Sequence, residues 1–231
     1  MSIIVADEDP SIHIEQSFAW SALESLPGPI AVWPVWRDNL QRHYPAFKAS
    51  FLKPVPGSTV KFFPCIHGCP CFHEVVRQSD GRMLGVCHCG ACAPFIVRPN
   101  DVIPLAPDWP KLGRSLCAAL RLELKLARPR HCNTFQIGAF RTQPVLLTVQ
   151  SSAAEFVQVL TALQAQLDQA FILLSPTTRL LSAAGRDRLE SVGAACFGLE
   201  NLLDFGTDGS LTLLRNPVEL FGRLPVLNHP S

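Results

Sequence analysis

Apolar residues in the second half of the chain follow helical spacing in some segments and form short unbroken runs in others. Residues 151–167 predict a helix with one apolar face, which Ser151 or Ser152 can cap. That face consists of Phe156, Val159, Leu160, Leu163 and Leu167. A second helix is predicted at 180–195. Unbroken apolar runs predict buried strands at 144–149, 170–177 and 196–199.

The order strand, helix, strand, helix, strand from 144 to 199 is typical of a small parallel α/β unit of the βαβα type. An alternating pattern over 133–149 adds a strand before it, with a turn at 142–144. Residues 204–214 predict a final hairpin around Asp208-Gly209, followed by a terminal helix. In such a unit a ligand would bind at the carboxyl ends of the strands, near 148–151 or 175–178.

The first half of the chain predicts shorter elements joined by proline-rich connectors. Helices are predicted at 17–26 and 36–52, and a strand at 58–63. Residues 106–127 predict a longer helix, since Asp108 can cap it and Pro110 lies in its first turn. Lys and Arg residues are interleaved with its apolar positions, among them Arg114, Arg121 and Lys125.

Between these halves the pattern predicts a β-hairpin. Apolar and β-branched residues stand on both sides of residues 79–82, and Asp80-Gly81 favours a two-residue turn. That turn would place Val75 opposite Val86, and His73 opposite His88 as an exposed pair. The mouth of the hairpin would then bring two groups of cysteines together.

Six of the nine cysteines lie within this segment, at Cys65, Cys69, Cys71, Cys87, Cys89 and Cys92. Disulfides are disfavoured because the cysteine count is odd and the N-terminus has no signal-peptide pattern, which predicts a cytoplasmic protein. A thioredoxin-like redox pair would be a single C-x-x-C motif without four further cysteines. Thiolates grouped at one end of a hairpin favour a tetrahedral Zn²⁺ site, with a four-iron cluster as the alternative.

Residues 62–96 resemble a zinc ribbon, in which two cysteine knuckles joined by a β-hairpin hold one structural zinc. Cys89-Gly90-Ala91-Cys92 matches the second knuckle. The first knuckle departs from the family pattern, because three residues separate Cys65 from Cys69. Cys71 can therefore replace Cys65 as a ligand, and Cys87 is a further candidate ligand. His67, His73 or His88 can complete a Cys₃His site or a second zinc.

Charge is distributed unevenly along the chain. Residues 61–141 contain 11 Lys and Arg and 5 Asp and Glu, which gives a net charge of +6 in a chain whose total is +1. This asymmetry favours an acidic partner such as nucleic acid, although ordinary solvated faces give the same count. Arg77 and Arg82 at the hairpin tip, with Arg114, Arg121 and Lys125 on one helical face, are the predicted phosphate contacts.

Together these patterns predict an α+β protein with four segments. They are an N-terminal segment (1–61), a zinc-ribbon-like module (62–96), a basic helical connector (97–132) and an α/β domain (133–231). No complete catalytic constellation or phosphate-binding motif is present, and no apolar run approaches the roughly 20 residues of a membrane-spanning helix. The first hypothesis is a non-catalytic, zinc-binding, nucleic-acid-associated subunit or adaptor with protein partners. The alternatives are a ligand-binding or enzymatic α/β domain with a structural zinc, and a protein-docking module.

Overall fold

A computed structural model of the chain describes residues 18–90, 92–127, 131–167 and 169–222. Its helices are α1 (Phe18–Glu24), α2 (Trp33–Leu40), α3 (Tyr44–Phe51), α4 (Trp109–Leu120), α5 (Ala153–Gln166), α6 (Ala183–Ser191) and α7 (Pro217–Phe221). Its strands are β1 (Leu52–Pro54), β2 (Phe62–Pro64), β3 (Phe72–Arg77), β4 (Met83–Val86), β5 (Phe95–Val97), β6 (Leu105–Pro107), β7 (Glu123–Leu124), β8 (Thr134–Phe140), β9 (Gln143–Thr148), β10 (Ile172–Ser175), β11 (Ala195–Gly198), β12 (Leu203–Phe205) and β13 (Leu211–Leu213). The predicted mixture of helices and sheets, an α+β fold, is confirmed.

A five-stranded sheet forms the centre of the molecule, in the order β11-β10-β9-β8-β7. Strands β9, β10 and β11 are parallel, as the alternation of strands and helices predicted. Strands β8 and β7 continue the sheet in antiparallel pairing. Two-stranded ladders pair β1 with β6 and β12 with β13, the latter being the predicted final hairpin.

Helices cover both faces of this central sheet. On one face, Leu146 and Leu173 pack against the apolar sides of α5 and α6. On the other face, alternate residues of β9 and β10 pack in a larger core against α1 to α4. That core includes Trp20, Trp36, Phe47, Leu112, Leu116, Val145, Leu147, Ile172 and Leu174. Strands buried on both faces consist of continuous apolar residues, which explains the unbroken runs in the sequence.

Helix α4 begins as predicted but ends earlier. The Asp108 side chain accepts a hydrogen bond from the backbone N–H of Lys111, as a helix N-cap does. The helix ends at Leu120, and Arg121 has the left-handed conformation with φ 54°. The chain then forms β7, which lies close to β8. This approach requires a glycine at position 138, because a Cβ there would lie 2.6 Å from the carbonyl oxygen of Glu123. The predicted helix to residue 127 is therefore wrong, since pairing at the sheet edge replaces it.

The cysteine-rich segment forms a separate four-stranded antiparallel sheet in the order β2-β3-β4-β5. The predicted hairpin exists as β3 and β4, but its register differs by one residue, with Val75 opposite Gly85 and Glu74 opposite Val86. The connecting loop has three residues between Gln78 and Arg82, and Gly81 takes φ 87° at its end. Such three-residue loops are the next commonest hairpin type, and a one-residue shift exchanges the faces of every side chain.

The inner face of this sheet packs on a small core of its own. That core contains Val32, Phe63, Met83, Phe95, Val97 and Val102, with Trp33 packed against it. The indole N–H of Trp33 donates to the carboxylate of Asp101 at 3.0 Å, so α2 is tied to the loop that follows β5. The segment boundaries at 61, 96 and 132 remain predictions. Residues from both sides of the module meet in the larger core, for example Trp36 and Leu112.

Candidate metal centre

All six clustered cysteines lie at the end of the four-stranded sheet opposite the hairpin loop. Cys65 follows β2, and Cys69 and Cys71 precede β3. Cys87 follows β4, and Cys89 and Cys92 lie in the loop that leads to β5. Because neighbouring strands are antiparallel, the end of one strand meets the beginning of the next at this edge. The structure therefore brings together all six cysteines that the sequence proposed as metal ligands.

The ligand atoms form two groups, each with all its members within 4.8 Å of one another. The first, which we call the four-thiol site, consists of Cys69, Cys71, Cys87 and Cys89. The second, the Cys–His site, consists of Cys65, His73 and Cys92. Both groups have the donor types and the proximity that a metal ion requires.

Backbone N–H groups point at several of the sulfur atoms. The N–H of His67 donates to Cys65 Sγ at 3.3 Å, and the N–H of Cys71 donates to Cys69 Sγ at 3.4 Å. Gly68 lies between these donors with φ 82°, a left-handed conformation that favours glycine. Hydrogen bonds to a sulfur favour its ionised form, and the thiolate is the form that binds metals. The loop between β2 and β3 thus directs backbone N–H donors at Cys65 Sγ and Cys69 Sγ.

Crowding of the thiols perturbs their ionisation. Contact with the Cys69 and Cys89 thiols raises the pKa of Cys71 to about 12. Burial and the neighbouring Cys65 and Cys69 thiols raise the pKa of Cys92 to about 12. The pKa of Cys65 is instead lowered. Burial acts to raise it, but hydrogen bonds from the backbone N–H groups of His67 and Cys69 have the larger, opposite effect. Thiolates this close repel one another unless a cation lies between them, so a bound dication would release protons from the cluster.

His73 lies in the buried face of the sheet rather than on the surface. Its side chain is 0% exposed, its Nδ1 lies 3.5 Å from the carbonyl oxygen of Gly85, and its ring packs 4.9 Å from that of Phe95. Its Nε2 is buried without a hydrogen-bond partner. His88 instead is exposed and contacts the Glu74 carboxylate at 2.8 Å. The predicted His73–His88 pair is therefore wrong, because the register differs by one residue.

Disulfide bonds do not join these cysteines. All nine cysteines of the chain fall within the described residues, and none of them is joined to another by a disulfide bond. Cys87 Sγ and Cys89 Sγ are 2.7 Å apart, well beyond the S–S bond length of about 2.05 Å. The cysteines are therefore in the reduced form, which metal binding requires.

The predicted phosphate contacts lie apart from one another. Arg77 and Arg82 flank the hairpin loop, and Arg82 pairs with Asp80 at 2.6 Å. Arg114 is exposed on α4. Arg121 lies beyond the end of that helix, and Lys125 follows β7, where it pairs with Glu123 at 3.1 Å. The predicted common helical face of Arg114, Arg121 and Lys125 is wrong, because α4 ends before two of them.

A groove beside the hairpin loop has a charge pattern that the sequence did not indicate. Its volume is about 360 Å³, and it is lined by residues of β3 and β4 and by residues 59–61, 99–100 and 102–103. The charged residues of its lining are Lys61 and Arg77, both cations. Arg82 and Arg98 lie at the same end of the sheet, since they adjoin the paired residues Met83 and Val97. These positions come together only through the sheet pairing.

The central sheet has a buried polar network at the carboxyl end of β10. The Glu24 carboxylate accepts hydrogen bonds from the backbone N–H and the hydroxyl of Thr177, at 2.9 and 2.6 Å, and from Arg179 Nε at 2.8 Å. Burial raises the pKa of Glu24 in spite of these donors. Sequence reasoning missed this residue, because 153 positions separate Glu24 from Thr177. A ligand site was predicted at this edge of the sheet, near 175–178. The polar groups there form hydrogen bonds with one another, which is the arrangement of a structural network.

Within the described ranges, no helix combines the length and the apolar character needed to cross a membrane. The resemblance to a zinc ribbon is local, and the module differs from a lone hairpin because two further strands flank β3 and β4. Comparison with known proteins gives no match, whether by family model, curated protein sequence or solved structure.

Proposed function

We propose that this chain is a non-catalytic, zinc-dependent binding protein that acts as a nucleic-acid-associated subunit or adaptor. The observation that carries the zinc assignment is the four-thiol site, where Cys69, Cys71, Cys87 and Cys89 offer four sulfur atoms to one ion. Four protein ligands complete a tetrahedral shell and leave no position for a substrate. The zinc would therefore be structural.

Zinc fits this site better than the four-iron alternative. In a four-iron cluster each cysteine ligates a different iron, so the ligand sulfurs surround a whole cluster. The sulfurs of the four-thiol site all lie within 4.8 Å of one another, which suits ligands that share a single ion. Around zinc, Cys87 Sγ and Cys89 Sγ would separate from 2.7 Å to about 3.8 Å, the distance between tetrahedral sulfur ligands.

The nucleic-acid assignment rests on the groove beside the hairpin loop. Its two charged lining residues, Lys61 and Arg77, are cations, and Arg98 lies at the same end of the sheet. A positively charged groove of this kind can follow the phosphate backbone of a single strand.

A salt titration tests this assignment. We expect the chain to bind single-stranded RNA or DNA at low salt, with a log affinity that falls linearly against log salt. A Lys61→Ala, Arg77→Ala variant should lose about 1.4 units of that slope, because each lost phosphate contact accounts for about 0.7 units on single strands. Fluorescence anisotropy with labelled oligonucleotides of mixed sequence measures the slope.

The matched control is an Arg114→Ala, Arg121→Ala variant, which removes the same charge from a different surface. It should keep nearly the full slope. Absence of binding by the unaltered chain at low salt contradicts the nucleic-acid assignment, and so does an equal loss of slope in both variants. Neither result would affect the zinc assignment.

A second candidate function, protein docking, is favoured by the outer face of the four-stranded sheet. Four large apolar side chains are exposed there, namely Phe62, Phe72, Val76 and Ile96, around the charged pair of Glu74 and His88. Ile96 is 66% exposed. Apolar patches of this kind mark interaction sites on soluble proteins. Failure of nucleic-acid binding, together with specific capture of a protein through this face, would favour docking.

A further inference from the structure

We propose that the cluster holds two zinc ions, the second bound by Cys65, His73 and Cys92 and sharing the Cys69 thiolate with the first. This inference rests on the proposed zinc at the four-thiol site and adds a second site with a different ligand set. The three ligands that belong to the second site alone already lie within 4.8 Å of one another. They come from three places along the module: the end of β2, the second residue of β3, and the loop before β5.

The sulfur separation in the Cys–His site has the value that zinc requires. Cys65 Sγ and Cys92 Sγ are 3.7 Å apart. Two Zn–S bonds of about 2.3 Å at the tetrahedral angle place their sulfurs about 3.8 Å apart. The two thiols can therefore ligate one ion almost without movement.

His73 provides an independent reason for a metal here. Its Nε2 is fully buried and has no hydrogen-bond partner, which is costly for a polar atom in the interior. The other ring nitrogen, Nδ1, faces the carbonyl oxygen of Gly85 at 3.5 Å. A histidine that ligates a metal usually donates its second N–H to a carbonyl or a carboxylate, which fixes the ring. His73 has this arrangement, with Nε2 left for the ion.

The number of ligands explains the shared thiolate. Two tetrahedral zinc ions need eight ligand positions, whereas the two groups together supply seven atoms. A thiolate can bridge two metals, so sharing one sulfur completes both shells. Cys69 is suited to this position, because its sulfur lies within 4.8 Å of the other three thiols of its own group and it shares with Cys65 the loop between β2 and β3.

Such a cluster would join all four strands of the module at one end. The first zinc would link the residues before β3 to those after β4, through Cys71 and Cys87. The second would link the end of β2 to the loop before β5, through Cys65 and Cys92. Strands β2 and β5 have three residues each, and short strands at the sheet edges benefit most from such a link.

Counting zinc in the full-length chain tests the inference. We expect two zinc ions per unaltered chain and one per His73→Ala chain, measured by elemental analysis and by native mass spectrometry. His67→Ala and His88→Ala are matched controls that should keep two, since neither histidine belongs to a ligand group. One zinc in the unaltered chain overturns the inference while the proposed structural zinc stands, whereas a folded chain without zinc overturns both. Two zinc ions in His73→Ala exclude His73 as a ligand.

Replacement of zinc by ¹¹³Cd tests the shared thiolate without any substitution in the chain. We expect two ¹¹³Cd resonances, one in the range for four sulfur ligands and one more shielded, as one nitrogen and three sulfurs require. A ¹¹³Cd–¹¹³Cd coupling should split both resonances, because a bridging sulfur connects the two ions through bonds. Two resonances without coupling overturn the sharing of Cys69.

Discussion

Removal of the proposed zinc is expected to unfold the four-stranded sheet while the five-stranded sheet stays folded. The module has a small apolar core, and its cysteine-bearing loops are largely exposed, with Ile66 at 51%. At a free zinc concentration 1,000 times the dissociation constant, binding stabilises the module by about 4 kcal/mol. Chelation should abolish hydrogen-exchange protection in β3 and β4, whereas β9 and β10 keep theirs and act as an internal control.

Cys89→Ser should produce the same loss of protection without a chelator, because it removes one ligand of the four-thiol site. Cys132→Ser is the matched control, since Cys132 is exposed and lies outside both ligand groups. It should leave the protection of β3 and β4 unchanged. If the zinc-free chain protects these strands as well as the zinc-bound chain does, zinc has no structural role in the module.

Glu24→Ala is expected to lower the free energy of unfolding of the main core by about 2–3 kcal/mol. The Glu24 side chain is 1% exposed, and its loss leaves the buried backbone N–H of Thr177 without its acceptor. Urea denaturation monitored by tryptophan fluorescence measures the effect, because Trp20 is buried in that core.

Glu200→Ala is the matched control for this substitution. Glu200 accepts hydrogen bonds from the backbone N–H and the hydroxyl of Thr178, the next residue, but it is only partly buried. Water can replace a partly buried carboxylate, so the loss should be about 1 kcal/mol or less. Equal losses in the two variants would show that burial of Glu24 does not determine the stability of this network.

Local signals in the sequence predicted much of the fold. Asp108 and Ser152 both cap the helices that follow them, because a cap depends on residues three positions apart. The apolar runs of β9 and β10 were recognisable because these strands are buried on both faces. The parallel order followed from the alternation of strands with helices.

The errors lie where distant residues decide the structure. Asp80-Gly81 suits a two-residue turn as well as the observed three-residue loop, and only the pairing with β2 and β5 fixes the register. Helix α4 ends at Leu120 because β8 offers an edge that Leu124 can join. That register determines how the cysteines divide into two groups, and it places the buried His73 in the second group. Sequence spacing alone therefore indicated a metal site but not its ligand groups.

X-ray absorption at the zinc edge of the purified, unaltered chain tests the central claim most directly. We expect zinc to be present as isolated, with a first shell dominated by sulfur at about 2.3 Å. The Cys–His site would add a minor nitrogen contribution at about 2.0–2.1 Å. A folded chain without zinc, or zinc bound by nitrogen and oxygen alone, would contradict the assignment of these cysteines as zinc ligands.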